Sequence, residues 1–336
     1  MMRPRVSFAM QASKTRHVFD DAALARLDAC CEVLSRVPIE DFEAPEAREQ
    51  LAKTDVLVTG WGCGYIGSDV LRMAPGLKLI AHAAGTVKYM VDPAVYDAGV
   101  SVCHAAEANA VPVAEYTLAA IIFANKRVFE LRDCYQADHS RKSSWKLMDE
   151  PIGNYRRTVG LIGASRIGRR VASMLELLDV DVLLADPFVT QDDPVTKQAR
   201  LVDLETLLKQ SDIVSLHAPA LPSTHHMLSR RQFRLMRDGA TFINTARGML
   251  VDEDALLDEL ESGRIHAIID VTHPEIPDDD SRFYTLPNVF LTPHVAGAAG
   301  TERLRLGEMA VAEVERFAKG QPLEYAIEPE LLERLA

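Results

Sequence analysis

The sequence predicts an α/β protein built from two doubly wound, parallel-sheet domains. Three observations lead to this prediction. Short apolar runs alternate with helix-length segments in both halves of the chain, a glycine-rich turn follows one of these runs, and charged residues follow three later runs. The length of 336 residues exceeds what one typical core holds, which favours two domains. We expect a cleft between these domains.

Composition narrows the class of protein. Hydrophobic residues make up 48% of the chain, which is typical of a globular protein. The formal net charge of -12 argues against a nucleic-acid-binding surface. No apolar run reaches the roughly 18 residues that a membrane span requires. The five cysteines are odd in number and lack metal-site spacing, so we expect reduced thiols in a cytoplasmic protein and no metal site.

The first part of the chain contains one βα series. Strand-like runs occupy residues 6–10, 56–59, 77–83 and 100–105, and helical periodicity occupies 21–31 and 69–73. A long helix is predicted over 113–132, directly after Pro112. The polar stretch at 138–145 predicts an excursion from the compact body.

A second βα series starts at Thr158. Its predicted strands are 158–162, 182–185, 213–216, 241–244, 267–270 and 289–291. Helical patterns at 166–178, 201–209, 229–236 and 252–260 separate most of them. Strands spaced by helix-length connections predict parallel βαβ units. A charged helix is predicted over 301–319, and the tail at 321–336 contains little chemistry.

The glycine-rich turn between residues 160 and 168 is a candidate dinucleotide site. Gly163, Ser165 and Gly168 occupy the positions of a Gly-x-Gly-x-x-Gly fingerprint, after a strand and at the start of a helix. The first glycine makes the tight turn, and the third allows close packing of helix and strand. Ser165 departs from the pattern, although its small side chain fits and its hydroxyl can donate to a phosphate.

An acid follows the next predicted strand at the spacing of a ribose-binding residue. Asp186 lies about 20 residues after the turn. It is followed by Pro187 and Phe188 rather than by a cation, so a 2'-phosphate would meet a negative charge. We therefore expect NAD rather than NADP. The alternative is a glycine-rich turn without a ligand, which the strand–turn–helix context and the spaced acid disfavour.

Three residues in the last third of the chain form a candidate catalytic set. Arg247, Glu275 and His294 each lie at or just beyond the end of an apolar run. The carboxyl ends of parallel strands are where α/β sheets bind ligands. An arginine suits a carboxylate, a histidine exchanges a proton near neutral pH, and an acid orients that histidine. Each residue alone also fits an ordinary surface or loop role, so only the three together indicate a catalytic site.

Beyond these residues, the sequence resembles the D-isomer-specific 2-hydroxyacid dehydrogenase family over nearly its whole length. The Asn-Thr-Ala-Arg-Gly block at 244–248 and the Thr-Pro-His block at 292–294 carry the resemblance most specifically. It implies an NAD-dependent enzyme that interconverts a small 2-oxo acid and its D-2-hydroxy acid. Arg247 would bind the substrate carboxylate, His294 would be the acid/base, and Glu275 would be its partner.

The resemblance also implies further site residues and an assembly. The substrate carboxylate would also meet backbone groups of Gly85 and Thr86. The residues lining the cofactor would be Gly163, Ser165, Arg166, Ile167, Gly168, Asp186, His217, Pro219, Thr224, Thr245, Ala246, Asp270 and Gly297. Residues 1–110 and 300–336 would form the flavodoxin-like substrate-binding domain, and 111–299 the NAD-binding Rossmann domain. The chain would form a homodimer largely through the excursion.

Two loops depart from the family pattern, and other functions stay open. The residues at 85–89 are unusual, and Lys88 there can meet a second anionic group or be solvated. Together with residues 61–64, this loop is expected to decide the substrate.

The main alternative to a dehydrogenase is an NAD(H)-sensing, corepressor-like binding protein with little turnover. A formate dehydrogenase is disfavoured because those relatives pair the histidine with Gln, whereas phosphite oxidation is not excluded.

Overall fold

The computed structural model describes residues 3–14 and 17–330. Residues 1–2, 15–16 and 331–336, which belong to the predicted substrate-binding domain, lie outside the described residues. The chain divides into two compact units. Unit 1 combines Met1–Asn109 with Ala298–Ala336, and unit 2 is Ala110–Gly297.

Unit 1 contains a five-stranded sheet in the order β2-β1-β3-β4-β5, with every pair parallel. This order is that of flavodoxin-like doubly wound sheets. The strands are β1 (Arg5–Ala9), β2 (Glu32–Val33), β3 (Val56–Thr59), β4 (Leu79–His82) and β5 (Ser101–His104). The helices between them are α1 (Asp21–Cys30), α2 (Pro45–Leu51), α3 (Ser68–Met73) and α4 (Ala94–Asp97).

Unit 2 contains a seven-stranded parallel sheet in the order β12-β11-β10-β9-β6-β7-β8. Its central part has the Rossmann order. The strands are β6 (Arg157–Ile162), β7 (Val180–Ala185), β8 (Arg200–Leu201), β9 (Ile213–Leu216), β10 (Thr241–Asn244), β11 (His266–Ile269) and β12 (Val289–Leu291). The helices from residue 106 onward are α5 (Ala106–Asn125), α6 (Val128–Asp138), α7 (Lys142–Met148), α8 (Arg166–Leu175), α9 (Leu204–Gln210), α10 (Arg230–Leu235), α11 (Glu253–Glu261) and α12 (Arg303–Ala318). The predicted fold class is confirmed.

The central strands are buried on both faces because helices cover each sheet from two sides. All four residues of β3, β4, β9 and β10 are buried. Such strands are continuous apolar runs rather than alternating ones, which is why the sequence marked them clearly. The order of strands reverses between β1 and β3 in unit 1 and between β6 and β9 in unit 2. Ligand sites in such folds lie at the carboxyl ends of strands near this reversal.

The long helix predicted over 113–132 is wrong in its bounds. The structure has two helices, α5 and α6, separated at Arg127, whose φ of 49° is left-handed. Residues in that conformation cannot continue a right-handed helix, so the chain turns there. At its other end α5 begins before Pro112, which the helix accommodates in its interior. The predicted helix ran through Arg127 because the segments on both sides of it are rich in helix formers.

Two edge strands, β2 and β8, were not predicted. Each has only two residues, which is too short to establish a periodic pattern.

In unit 1 the tail packs back on the fold through Glu313, whose buried carboxylate accepts from the backbone N–H groups of Glu324 and Tyr325 (3.0 and 3.1 Å). Within the described ranges, no helix combines the length and apolar character needed to cross a membrane.

Candidate active site

The glycine-rich turn between β6 and α8 lies at the strand reversal of unit 2. Gly163 has a φ of 98°, and a Cβ there would lie 2.7 Å from the backbone nitrogen of Ala218. A Cβ on Gly168 would lie 2.1 Å from the carbonyl oxygen of Gly163. Both positions therefore require glycine, because the turn packs directly on itself and on the end of β9.

Ser165 caps the helix that follows this turn. Its Oγ accepts a hydrogen bond from the backbone N–H of Gly168 (3.3 Å), in the manner of an N-cap serine. This cap is a structural reason for the departure from the glycine fingerprint. The hydroxyl hydrogen stays available as a donor, and the start of a helix favours an anion such as a pyrophosphate.

Asp186 is fixed beside the same turn. Its Oδ2 accepts from the backbone N–H of Ala164 (2.7 Å), and its Oδ1 accepts from that of Phe188 (2.8 Å). Each carboxylate oxygen can accept a second hydrogen bond, which suits the two hydroxyls of a ribose.

The sequence suggested that no cation lies near Asp186, and the structure corrects this point. The pKa of Arg169 is raised, mainly by its hydrogen bonds with Asp193 and to a smaller extent by the charge of Asp186. Its guanidinium forms two hydrogen bonds with Asp193 (2.6 and 2.8 Å). Because Arg169 is already paired with Asp193, it does not offset the negative charge of Asp186 toward a 2'-phosphate.

His217 provides an unpartnered polar atom at the strand reversal. The side chain is buried, and its Nε2 shares a hydrogen bond with the Ser215 hydroxyl (2.9 Å). Its Nδ1 is buried without a hydrogen-bond partner among the described residues. Burial lowers the pKa of His217 to about 4, so the ring is neutral at physiological pH. A tight glycine turn, a capped helix start, a fixed acid and this unsatisfied atom together fit a bound dinucleotide.

The loop after His217 is shaped by a threonine. The Thr224 hydroxyl donates to the carbonyl of Pro219 (2.6 Å) and accepts from the backbone N–H of Leu221 (2.9 Å). Thr224 therefore sets the path of the 219–224 loop near the predicted cofactor residues.

The other residues predicted to line the cofactor lie as follows. Arg166 and Ile167 are the first residues of α8, Ala246 is buried, and Gly297 is half-buried at the end of unit 2.

Arg247 lies in a turn that Asn244 organises at the end of β10. The Asn244 Oδ1 accepts from the backbone N–H of Ala246 (3.0 Å), and its Nδ2 donates to the carbonyl of Arg247 (3.1 Å). The guanidinium of Arg247 donates through Nη1 to the carbonyl of Ala246 (2.7 Å). These bonds explain why an asparagine ends this strand, since its amide supplies both a donor and an acceptor to the turn.

Gly248 brings the loops of Arg247 and Glu275 into backbone contact. A Cβ at this position would lie 2.1 Å from the carbonyl carbon of Thr272. The loop that begins at Thr272 leads to Glu275, and the Thr272 hydroxyl donates to the Glu275 carbonyl (3.1 Å). Only glycine permits this approach, so the β10 and β11 loops are locked side by side.

The structure brings Glu275 and His294 together. The Nδ1 of His294 is hydrogen-bonded to the Oε1 of Glu275, which leaves Nε2 as the atom available for proton exchange. The side chains are 45% and 61% exposed respectively, so both can be reached by a small molecule. The backbone φ of His294 is 53°, an uncommon conformation for a non-glycine residue.

Asp270 holds the segment that carries His294. The carboxylate is buried, and its Oδ1 accepts from the Thr292 hydroxyl (2.6 Å) and the Val295 N–H (2.8 Å). Its Oδ2 accepts from the Ala296 N–H (3.0 Å). Hydrogen bonds of this kind offset the cost of burying a charge. Asp270 therefore fixes the residues on both sides of His294, in addition to the cofactor contact that the resemblance implies.

Two side chains of α5 support the site and were not predicted. The Tyr116 hydroxyl is hydrogen-bonded to the Thr292 hydroxyl (2.8 Å), and the Thr117 hydroxyl to the Thr245 hydroxyl (3.0 Å). Neither residue stands out from the helical pattern around it, so only the tertiary structure reveals the contacts.

The predicted substrate loop, Gly85 and Thr86, lies in unit 1 just after β4, whereas the catalytic set lies in unit 2. The carbonyl of Gly85 accepts from Nδ1 of His104, the last residue of β5 (2.9 Å). This bond ties the Gly85 carbonyl to the end of β5.

The chain is similar to known proteins over most of its length. The sequence profile of the D-isomer specific 2-hydroxyacid dehydrogenase, NAD binding domain, matches residues 118–296. A glyoxylate reductase from Thermofilum pendens is 30% identical over 96% of this chain and 93% of its own. A D-3-phosphoglycerate dehydrogenase from Archaeoglobus fulgidus is 32% identical over 78% of this chain. The match spans about half (49%) of that relative's own length.

A solved structure is similar over almost the whole chain. The D-lactate dehydrogenase of Lactobacillus jensenii, determined with NAD+, has a TM-score of 0.78 at 26% identity, covering 96% of this chain and 99% of its own. The predicted family is confirmed. The chain therefore belongs to the D-isomer-specific 2-hydroxyacid dehydrogenase family.

Proposed function

We propose that the protein is an NAD-dependent oxidoreductase that interconverts a small 2-oxo acid and its D-2-hydroxy acid. The observation that carries this proposal is the hydrogen bond between Glu275 and His294, on loops that adjoin the loop of Arg247. A histidine whose Nδ1 is held by a carboxylate has one tautomer favoured and Nε2 directed outward. This arrangement suits proton transfer to or from an oxygen.

Each member of the set has a separate role in this proposal. Bound NADH supplies the hydride that reduces the carbonyl carbon. Arg247 binds the substrate carboxylate with its planar fork, and its charge stabilises the alkoxide that develops on the carbonyl oxygen. His294 donates a proton to that oxygen in reduction and accepts it in oxidation. Glu275 holds Nδ1 of the ring and so fixes its orientation.

The cofactor residues follow from the same resemblance and from the turn geometry. Asp186 is proposed to accept from the adenosine ribose hydroxyls, and the turn from Gly163 to Gly168 to receive the pyrophosphate. Gly85 and Thr86 of unit 1 are proposed to offer backbone donors to the substrate carboxylate. Residues 1–110 with 300–336 would then be the substrate-binding domain.

Replacing the acid/base tests this mechanism. We expect His294→Ala to lower kcat by about 10²-fold or more, the usual scale for loss of such a group. Glu275→Gln should lower kcat less, because the amide still accepts a hydrogen bond from Nδ1 but no longer stabilises a charged ring. Steady-state kinetics with NADH and a 2-oxo acid measure both effects.

Tyr284→Phe is a suitable control, because its hydroxyl makes only a long contact with the carbonyl of Pro277 (3.3 Å). Near-normal turnover in His294→Ala, with binding of NADH intact, would remove His294 from the role.

Cofactor choice gives a second test. We expect Asp186→Asn to narrow the preference for NADH over NADPH by about 10-fold, since a 2'-phosphate no longer meets a carboxylate. The ratio of kcat/KM for the two cofactors measures this. Asp181→Asn is the matched control, because Asp181 lies exposed on β7, the strand that Asp186 directly follows. An unchanged ratio in Asp186→Asn would contradict the assigned contact.

A homodimer is proposed through the α6–α7 excursion. Helix α6 has no buried residue within the chain. Large apolar side chains are exposed at Tyr135 (57%), Trp145 (56%) and Met148 (53%), as expected of a surface that packs on another protein. Light scattering should report about twice the 37.1 kDa chain mass, and Trp145→Glu should shift it toward the monomer. A wild-type protein of monomer mass would contradict this proposal.

The relatives named above are a reductase and dehydrogenases, which favours catalysis over the corepressor-like alternative.

A cytoplasmic location is proposed from the cysteines, since all five are free thiols.

A further inference from the structure

Arg303, the first residue of α12, is an unusual cation in unit 1. Its guanidinium carbon lies 5.2 Å from the centroid of the Trp61 ring, as a cation stacked on an aromatic face. Among the residues that the structure describes, its buried Nε has no hydrogen-bond partner, and its Nη1 makes a long bond to the carbonyl of Lys14 (3.3 Å). No carboxylate forms an ion pair with Arg303 within residues 3–14 and 17–330.

The buried Nε of Arg303 is therefore a donor whose hydrogen bond is not satisfied by the described residues. Buried donors in proteins are nearly always hydrogen-bonded, and an unsatisfied one calls for an explanation. The Nε–Nη2 edge of an arginine is the fork that binds a carboxylate or a phosphate with two parallel hydrogen bonds. Stacking on Trp61 holds the plane of that fork in one orientation, so an anion would find it already aligned.

Trp61 lies at the ligand-binding edge of the unit 1 sheet. It follows β3, which pairs with β1 on one side and β4 on the other. Its carbonyl accepts from the backbone N–H of Gln11, which follows β1 (3.0 Å). The next residue, Gly62, has a φ of 77° and packs against the Gln11 side chain, where a Cβ would lie 2.7 Å away. The platform beneath Arg303 is therefore fixed at the carboxyl ends of β1 and β3.

The predicted substrate loop leaves the neighbouring strand at the same edge. Thr59 of β3 is in register with His82 of β4, and Gly85 and Thr86 follow three and four residues after His82. Adjacent strands are about 4.8 Å apart. Trp61 and the Gly85–Thr86 loop therefore follow neighbouring strands at the same edge of the unit 1 sheet.

We infer that Arg303, stacked on Trp61, binds a second anionic group at the far end of the substrate. This inference rests on the proposed function, in which Gly85 and Thr86 offer backbone donors to the first carboxylate. The substrate class is then a 2-oxo acid that carries a second, distal anion. A terminal carboxylate and a phosphate ester share this chemistry, and the fork of an arginine accepts both.

Matched substrates test the inference. The carboxylate pair is 2-oxoglutarate and 2-oxopentanoate, and the phosphate pair is phosphohydroxypyruvate and hydroxypyruvate. All four compounds carry the C1 carboxylate, so the charged member of a pair here means the one with the additional distal anion, and the uncharged member the one without it. Within at least one pair, the wild type should favour the charged member in kcat/KM. Arg303→Gln should lower kcat/KM for that member by about 10- to 100-fold, mainly through KM, the scale of a lost charge-assisted hydrogen-bond pair. The uncharged member should change by less than about 3-fold, within the usual effect of a surface substitution.

Two further variants separate recognition from folding. Arg305→Gln removes the same charge from an exposed position on the same helix, and should leave both members of each pair unchanged. Arg303→Lys keeps the charge without the fork, so it should recover part of the loss for the charged member alone. The pair that responds identifies whether a carboxylate or a phosphate is bound.

Equal losses for charged and uncharged members would make Arg303 a structural partner of Trp61 and overturn the inference. A wild type that favours the uncharged members of both pairs would also overturn it. If no 2-oxo acid is reduced, the proposed function fails separately. Calorimetric binding of the four compounds to the wild type and Arg303→Gln then decides the inference, since only charged compounds should lose affinity.

Discussion

The candidate site depends on one buried carboxylate. Asp270 accepts hydrogen bonds from Thr292, Val295 and Ala296, and so fixes the chain on both sides of His294. With the segment held in this way, the left-handed backbone of His294 is maintained and its ring meets Glu275. A strained backbone at a proposed functional residue persists only when the surrounding contacts hold it in place. The hydrogen bonds to Asp270 are the contacts that hold His294.

A second constraint, close backbone packing, assembles the rest of the site in unit 2. Gly248 allows the loop of Arg247 to lie against the loop that leads to Glu275, and Gly163 and Gly168 allow the nucleotide turn to lie against the end of β9. These contacts involve main-chain atoms, which cannot move aside as a flexible side chain can. The site therefore tolerates variable side chains around it more readily than any Cβ at these glycines.

Much of this could be predicted from the sequence, because buried parallel strands are uninterrupted apolar runs whose ends mark the ligand edge. The strand bounds of β3, β9, β10 and β12 matched the predicted runs, and the residues that follow them formed the candidate site. The break at Arg127 was missed because no proline or glycine marks it. The support from Tyr116 and the stacking of Arg303 on Trp61 were missed because they join segments that are distant in the chain.

The central claim is that the Glu275–His294 pair serves catalysis rather than cofactor sensing. The most direct measurement is NADH oxidation by the purified protein with a panel of 2-oxo acids, followed by chiral analysis of the product. The account predicts consumption of NADH with formation of an equal amount of the D-2-hydroxy acid. Tight binding of NADH without turnover of any 2-oxo acid in the panel, or formation of the L-product, would contradict it.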